Sequence, residues 1–296
     1  MSDFVQQNAV KCSFASSDSW IILSPIEQSI KNKIEAIGTP LKEWDIQIYR
    51  GVLTGYNEAF IVTTAKRDEI LSNCKTAEER EKTADLIRPI LRGRDIKRYG
   101  YTWADLWLIA TFPARHYNIE DYPAVREYLL SIGMERLEQT GTTHIINGEN
   151  IKSRKKTNNA WFETQDSISY WEDFSKPKIV WGNLNLKSSY ALVKDNIFVN
   201  APSPMIIPGS KYLLALLNSR LGDYYIRSLG VTRNGGYFEY KPMFVERLPI
   251  PINVNDEVKK NIETLVDESN EEEIDSLVYS IYGLSHAEID YINNLT

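Results

Sequence analysis

The sequence is poor in the residues that build covalent or metal-based sites. Its 296 residues include two cysteines, Cys12 and Cys74, and three widely separated histidines, His116, His144 and His286. Two cysteines give no disulfide framework and suit a reducing compartment, and the histidines follow no zinc spacing. A glycine-rich phosphate loop and a serine nucleophile elbow are also missing. The sequence therefore predicts no catalytic residues, no metal and no cofactor for this chain alone.

Long apolar runs and a targeting segment are missing too. No hydrophobic segment approaches the roughly 20 residues that a membrane helix needs. The N-terminus, MSDFVQQNAVKC, lacks the basic start and apolar stretch of a signal peptide. We therefore expect a cytoplasmic protein with no membrane partner. Hydrophobic residues make up 43% and charged residues 25%, which are typical of a folded globular protein.

Positive charge is scarce overall, but the two signs are segregated along the chain. Lys and Arg number 34 against 40 Asp and Glu. Residues 252–296 hold eleven of the acids and two of the bases, a net charge of −9, which leaves residues 1–251 at +3. A nucleic-acid surface is therefore compatible with the first part of the chain, whereas the acidic end is expected to face away from phosphate.

Apolar periodicity and capping signals predict a mixture of helices and strands. Ser24 and Glu27 form a capping box ahead of a helix that Gly38 ends, and Thr76 with Glu79 begins a second helix. The remaining predictions are strands at 45–50, 59–63 and 105–112, a helix at 123–133, a long polar loop at 140–160, strands within PKIVWGNLN, SSYALV and NIFVN, one amphipathic helix from Ser210, and three short helices after the Pro249 and Pro251 boundary.

The segment RPILRGRDIKRYGY concentrates basic side chains in one predicted loop. Arginine outnumbers lysine there four to one, and guanidinium groups suit phosphate oxygens and guanine edges. The alternative interpretation is a solvated connection between a helix and a strand. Arg88 adjoins a helix end and could cap it, so it is set aside. The predicted DNA contacts in this loop are Arg92, Arg94, Lys97 and Arg98.

Two further polar segments carry the same kind of chemistry. Around KSRKK, basic residues are interleaved with amides and an aromatic, which can supply both phosphate contacts and base-edge hydrogen bonds. In TRNGGYFEYK, a Gly pair predicts a tight turn. Either segment could instead be an ordinary exposed loop. The predicted DNA contacts here are Lys152, Arg154, Lys155, Lys156, Asn158, Arg233 and Asn234.

Five blocks of sequence occur together in a recognisable order: GVLTGYNEAFIV, LIRPILRGRDIKRY, WEDFSKPKIVWGN, YLLALLNSRLGDYYI and VERLPIP. In combination they resemble the TaqI-like C-terminal specificity domain of type IIG restriction–modification enzymes, from about Trp20 to the C-terminus. The resemblance implies a DNA-binding module that selects the site for an adenine-N6 methyltransferase and often a nuclease. It also implies that Gly51 and Gly55 serve turns and that Asp95 pairs with an arginine.

The chain departs from the full-length pattern, because it has no Asn-Pro-Pro-Tyr motif and no S-adenosylmethionine loop. It is therefore expected to be an excised part of a longer enzyme or a separate specificity subunit. The segment SDSWIILSPIEQSI looks like the join after a methyltransferase domain. The alternatives are a small nuclease or methyltransferase fragment with its own active site, and a protein-interaction module without DNA contact.

We expect an α+β fold in two parts. A DNA target-recognition domain on a curved mixed β-sheet with helices would occupy residues 1–253. A helical C-terminal segment would occupy residues 254–296. Together with its partners, double-stranded DNA and a methyltransferase domain or subunit, the chain would recognise a DNA sequence without catalysing a reaction itself.

Overall fold

The computed structural model describes residues 23–230 and 232–296. Cys12 and the part of the predicted join that precedes Leu23 lie outside the described residues. The helices are α1 (Pro25–Ile37), α2 (Asn57–Phe60), α3 (Thr64–Ser72), α4 (Ala77–Leu86), α5 (Pro123–Ile132), α6 (Met134–Leu137), α7 (Lys211–Asn218), α8 (Arg220–Leu229), α9 (Pro242–Val245), α10 (Asp256–Glu268), α11 (Glu271–Ile281) and α12 (His286–Asn293).

The strands are short and lie mostly in the first two thirds of the chain. They are β1 (Thr39–Pro40), β2 (Gln47–Arg50), β3 (Ile61–Thr63), β4 (Ile87–Leu91), β5 (Ile96–Lys97), β6 (Gly100–Tyr101), β7 (Leu106–Ile109), β8 (Thr143–Ile146), β9 (Glu149–Lys152), β10 (Lys178–Trp181), β11 (Leu184–Asn185), β12 (Tyr190–Val193), β13 (Phe198–Val199), β14 (Pro204–Ile207), β15 (Thr232–Arg233), β16 (Tyr237–Glu239) and β17 (Pro249–Ile250).

The predicted helix ends are confirmed where a cap defines them. The Glu27 backbone N–H donates to the Ser24 hydroxyl, and the Ser24 N–H donates to the Glu27 carboxylate (2.7 Å), which completes the capping box of α1. At α4, the Glu79 N–H donates to the Thr76 hydroxyl at 3.0 Å. These bonds satisfy backbone donors that the first helical turn would otherwise leave unpaired.

Two local predictions were wrong. The segment 140–160 is not an open loop, because β8 and β9 pair there as an antiparallel hairpin. Asn147 and Gly148 turn the chain with φ of 53° and 84°, the left-handed geometry that favours an Asn-Gly pair. The helix from Ser210 is in fact two helices. Ser219 has extended backbone and its hydroxyl accepts from the Gly222 N–H (3.0 Å), so it ends α7 and caps α8.

Two four-stranded sheets organise the described residues, and the α+β prediction is confirmed. The first sheet has the order β12-β10-β14-β2 and is antiparallel throughout. The second has the order β13-β4-β7-β3 and is mixed, because β13 runs parallel to β4 while the other pairs are antiparallel. A parallel bridge between Val52 and Asn200 links the segment after β2 to the segment after β13.

Two hydrophobic cores pack against the sheets, and the antiparallel sheet contributes to both. The core at the mixed sheet contains Phe60, Ile87, Leu108 and Leu129, from α2, β4, β7 and α5. The core at the antiparallel sheet joins α1, α7 and α8 to that sheet and to the last three helices. The two cores lie on opposite faces of β10. Val180 faces the first core, at the mixed sheet, and its neighbour Ile179 faces the second core, which contains the last three helices.

The helical C-terminal segment is present and is built into the second core. Ile262 and Leu265 of α10, and Ile274 and Val278 of α11, are buried in the cluster that includes α7. The apolar stripes of these helices are thus covered by the rest of the chain, which gives short helices the tertiary packing they need. A division into domains at residue 253 remains a prediction.

Candidate nucleic-acid interface

The first predicted loop follows β4 and is shaped by one arginine–aspartate pair. The Arg92 Nε and Nη2 donate to the two Asp95 carboxylate oxygens at 3.0 and 2.8 Å, and the Arg92 backbone N–H adds a third bond at 2.8 Å. Burial alone raises the pKa of the Asp95 carboxyl, but these bonds from Arg92 hold it below its ordinary value. The expected pairing of Asp95 with an arginine is confirmed. Because its guanidinium is engaged by Asp95, Arg92 fixes the turn and is not retained among the proposed DNA contacts.

Arg94 and Lys97 are the outward-facing cations of this loop. Both side chains are exposed, and the Lys97 Nζ donates only to the Arg94 carbonyl, at 2.8 Å. Neither has an ion-pair partner in the part of the chain that the structure describes. Their charges are consequently available to an external anion.

Arg98, by contrast, connects the loop to the C-terminal helices. Its Nε donates to the Glu271 carboxylate at 2.6 Å and its Nη1 donates to the Ser188 carbonyl at 3.3 Å. Its side chain is 15% exposed. Because its donors are engaged inside the protein, we do not retain Arg98 among the proposed DNA contacts.

Arg154, in the second loop, is also an internal residue. It is 4% exposed, and its guanidinium donates to the carbonyls of four residues at distances of 2.6 to 2.8 Å: Thr54, Leu137, Trp161 and Glu163. Burial lowers its pKa to about 10, which still leaves it charged at neutral pH. The fork of N–H donors matches convergent carbonyls, so Arg154 anchors the loop and is removed from the proposed contact set.

Around this anchor, the other predicted residues of the second loop point to solvent. Lys155, Lys156 and Asn158 are exposed, and so is Lys152 at the end of β9. Among residues 152–156, the structure thus buries one cation, Arg154, and leaves the other three exposed.

The third loop is the predicted turn, and it joins β15 to β16. Gly235 and Gly236 have φ of 79° and 77°, where a side chain would be strained. The Arg233 Nε donates to the Glu239 carboxylate at 2.6 Å, yet its side chain stays 55% exposed. Asn234 is exposed at the tip of the turn.

Backbone contacts place the three loops beside one another. A Cβ on Gly93 would lie 3.0 Å from the Ser203 hydroxyl and 3.9 Å from the Cα of Gly182. The Gly51 N–H donates to the Ser203 carbonyl at 2.8 Å, and three residues later the Thr54 carbonyl accepts from Arg154. Three extended residues span at most about 11 Å, so the first and second loops both border the short segment of residues 51–54.

The third loop joins this group through strand pairing. β11, which follows Gly182, pairs with β16. This small sheet exposes Leu184, Leu186 and Tyr237, and Lys187 beside it is also exposed. Lys187, which the sequence analysis did not single out, lines a depression with Glu271, Glu272 and Asp275 of the C-terminal helices. We call the exposed polar residues of the three loops the basic surface: Arg94, Lys97, Lys152, Lys155, Lys156, Asn158, Arg233 and Asn234.

No group of three or more His, Cys, Asp or Glu side chains placed to hold a metal ion occurs within residues 23–230 and 232–296. None of the helices in those same ranges has the length and apolar character required to cross a bilayer.

Comparison with known proteins assigns the chain to a family. Residues 88–250, more than half of the chain, match the TaqI-like C-terminal specificity domain. The chain therefore belongs to this family of specificity domains. The matched range includes all three loops of the basic surface.

Curated relatives are methyltransferases about twice as long as this chain. Type II methyltransferase M.BstVI of Geobacillus stearothermophilus is 27% identical over 95% of this chain and 47% of its own length. M.XhoI of Xanthomonas vasicola is 20% identical over 93% of this chain and 47% of its own. The chain thus spans about half the length of the relatives it matches.

Solved structures share the fold at low sequence identity. The type IIG restriction endonuclease BpuSI matches 91% of this chain and 31% of its own, with a TM-score of 0.58 and 13% identity. The type IIL restriction–modification enzyme MmeI, solved with DNA, matches 86% of this chain and 36% of its own, with a TM-score of 0.55 and 14% identity.

Proposed function

We propose that this chain recognises a specific sequence in double-stranded DNA within a type IIG-like restriction–modification system. It would direct an adenine-N6 methyltransferase, and an associated endonuclease, that lie outside this chain. The observation that carries the proposal is the basic surface, which gathers exposed cations on three adjacent loops of a specificity-domain fold. The chain acts without catalysis or a cofactor of its own in this proposal, and its DNA substrate is consistent with a cytoplasmic protein.

The basic surface has two kinds of groups that a DNA reader needs. Arg94, Lys97, Lys155 and Lys156 supply positive charge for phosphate oxygens, and such contacts fix the position of the protein on the duplex. Amide side chains can pair with adenine edges in the major groove. Asn158 and Asn234 stand beside the cations of the second and third loops, and they are our candidates for base contacts.

The acidic C-terminal helices also favour an orientation in which the basic surface faces DNA. Eleven carboxylates lie within residues 252–296, and they would be repelled by phosphate over about 8 Å at physiological salt. Packing in the second core holds these helices against α7. Arg98 pairs with Glu271 of α11, and Glu272 and Asp275 of that helix lie close to the same arginine. The basic surface therefore meets DNA while most of the acidic side chains point elsewhere.

The methyltransferase partner is proposed from the relatives. M.BstVI and M.XhoI carry about as much chain again as the part that matches here. A methyltransferase portion, as a preceding domain or a separate subunit, would use the site that this chain selects.

The proposal is tested by the salt dependence of duplex binding. Replacing Arg94 or Lys155 by Ala should weaken binding to all sequences and should lower the slope of log K against log salt by about 0.9 for each lost phosphate contact. Lys260→Ala on the exposed face of α10 is the control, and it should change neither quantity. Fluorescence anisotropy of labelled duplexes from about 50 to 200 mM salt measures both.

Two results would count against the basic surface. If neither Arg94→Ala nor Lys155→Ala changed the slope, these loops would be solvated surface without a DNA contact. If one of the variants altered the preference at a single base position and left the slope unchanged, that residue would read a base instead of binding phosphate.

A further inference from the structure

A cleft of about 500 Å³ lies at the opposite end of β4 from the first loop. Arg88, which lines it, is the second residue of β4, whereas Arg94 lies beyond the end of that strand. The cleft is therefore separate from the basic surface. Its volume is within the usual range for small-molecule sites, roughly 300 to 1,000 Å³.

The floor and walls of the cleft are aromatic. Phe112 and Phe198 are buried beneath it, with ring centroids 5.5 Å apart. Tyr117 and Tyr122 form one wall in an edge-to-face pair at 5.7 Å, and Trp171 forms another. Planar ligands stack on such surfaces, and each stacked base is worth a several-fold gain in affinity.

Arg115 places a guanidinium at the mouth of this cleft. It ends the short 3-10 helix Pro113–Arg115, and His116 turns the chain with a φ of 51° so that Tyr117 enters the wall. The Arg115 guanidinium lies 3.8 Å from the centroid of the Trp171 ring and 5.3 Å from that of Tyr117. Stacking uses the flat face of the guanidinium and leaves the N–H groups at its edge free to donate.

The charges of the cleft are not fully compensated within the described residues. Three cations, Lys82, Arg88 and Arg115, and two carboxylates, Asp85 and Glu172, line it. Arg88 pairs with Asp85 at 3.6 Å, whereas Arg115 has no ion-pair partner within the described residues. The hydroxyls of Tyr117 and Tyr122 make no hydrogen bond within the described residues either. Burial raises the pKa of both tyrosines, so their hydroxyls stay protonated and can donate at neutral pH.

We propose that this cleft binds a nucleotide, with the base packed against the aromatic lining beside Tyr122 that Arg115 does not cover, and the phosphate held by Arg115 and Arg88. The chemistry combines a planar aromatic group with an anion, which a nucleoside monophosphate and an unpaired nucleotide of a DNA strand share. The site is independent of duplex recognition by the basic surface.

Calorimetric titration of the full chain with AMP tests this site. We expect a Kd on the order of 10 to 1,000 µM, as suits a small polar ligand. Arg115→Ala should weaken AMP binding at least about tenfold through the loss of charge-assisted hydrogen bonds. Trp171→Ala should weaken it similarly, and Trp171→Phe should restore part of the affinity. Lys260→Ala is the matched control and should bind AMP as the parent chain does.

Further titrations identify the ligand class and its source. Adenosine, which lacks the phosphate, should bind at least about tenfold more weakly than AMP and should be insensitive to Arg115→Ala. Single-stranded dT10 is added to an Arg94→Ala, Lys155→Ala variant preloaded with AMP, so that the basic surface contributes little. Displacement of AMP by dT10 would assign the site to an unpaired nucleotide of DNA, and AMP binding without displacement would assign it to a free nucleotide.

The proposal is overturned if neither AMP nor dT10 gives a saturable signal. It is also overturned if Arg115→Ala keeps the melting temperature of the parent chain and binds AMP equally well. The same outcome for the double variant Trp171→Phe, Arg115→Lys overturns it too. Neither outcome bears on the proposed function, which is measured with duplex DNA and with residues of the basic surface.

Discussion

Replacing Arg154 by Met should strongly destabilise the protein, whereas the same change at the neighbouring Lys155 should leave its stability nearly unchanged. Methionine preserves a long, flexible side chain but removes the guanidinium and all its donors. Four carbonyls would then lose a hydrogen-bond donor in the interior, since Arg154 is 4% exposed and bonds to Thr54, Leu137, Trp161 and Glu163.

The cost follows from the number of acceptors left without a partner. Each buried acceptor that loses its hydrogen bond costs roughly 1 to 3 kcal/mol, and water entering the site recovers part of this. The Glu163 carbonyl also accepts from the Gln139 Nε2 at 3.1 Å, so three of the four carbonyls are left without a partner. We therefore expect a loss of at least about 3 kcal/mol in the free energy of unfolding, with about 1 kcal/mol as the minimum for each of these three. Natural domains have about 5 to 15 kcal/mol in total, so this loss is a large share of the stability.

Urea denaturation followed by circular dichroism measures this loss. Lys155→Met is the matched control, because Lys155 is the neighbouring cation and is exposed. It should stay within about 0.5 kcal/mol of the parent chain, as surface substitutions usually do. Arg154→Lys should recover only part of the stability, since an ammonium group cannot reproduce the planar fork of donors.

The opposite pattern would refute this reasoning. A folded Arg154→Met variant with an unchanged urea midpoint, but with a salt slope lowered by about 0.9, would show that Arg154 contacts phosphate. Its role as the internal anchor of the second loop would then be wrong.

Two other predictions concern the packing of the C-terminal helices. A double-mutant cycle on Arg98→Ala and Glu271→Ala should give a coupling energy of about 0.5 to 1 kcal/mol in thermal or urea unfolding. The value is modest because Glu271 is 43% exposed. If Arg98→Ala changed the salt slope of DNA binding, that arginine would return to the contact set. Burial alone raises the pKa of Glu288, but hydrogen bonds from Lys33, Ser285 and Ser29 lower it from 4.5 to about 2. A lowered folded-state pKa contributes stability above about pH 5 that is lost as the pH falls towards 2. Glu288→Gln should therefore flatten the melting-temperature profile over this range, and an unchanged profile would contradict the pairing.

Local sequence signals predicted the elements whose ends depend on neighbouring residues. The capping box of Ser24 and Glu27, the start of α4 at Thr76 and the Gly235–Gly236 turn each rest on bonds or dihedral angles within a few positions. The β8–β9 hairpin was missed although its Asn147–Gly148 turn is an equally local signal. The polar composition around that turn suggested a loop, but the Asn-Gly pair was the better predictor of the local structure.

The order of the sequence blocks also indicated the family without a structure. The match to the TaqI-like C-terminal specificity domain over residues 88–250 confirmed that resemblance. The predicted Asp95–arginine pair was confirmed as well, since its partner Arg92 lies only three residues away. Because the two residues of such a pair are close in sequence, the pair can be predicted without the tertiary structure.

Only the tertiary structure decided which basic residues face solvent. Arg94, Arg98 and Arg154 have the same chemistry and lie in similar polar segments. Arg98 is turned inward by Glu271, 173 positions along the chain, and Arg154 by carbonyls that include that of Thr54, 100 positions away. A guanidinium engages whichever acceptors the fold brings to it, and sequence spacing carries no record of acceptors that distant. The sequence therefore determined that cations gather in these loops, and the fold determined which of them are free to meet DNA.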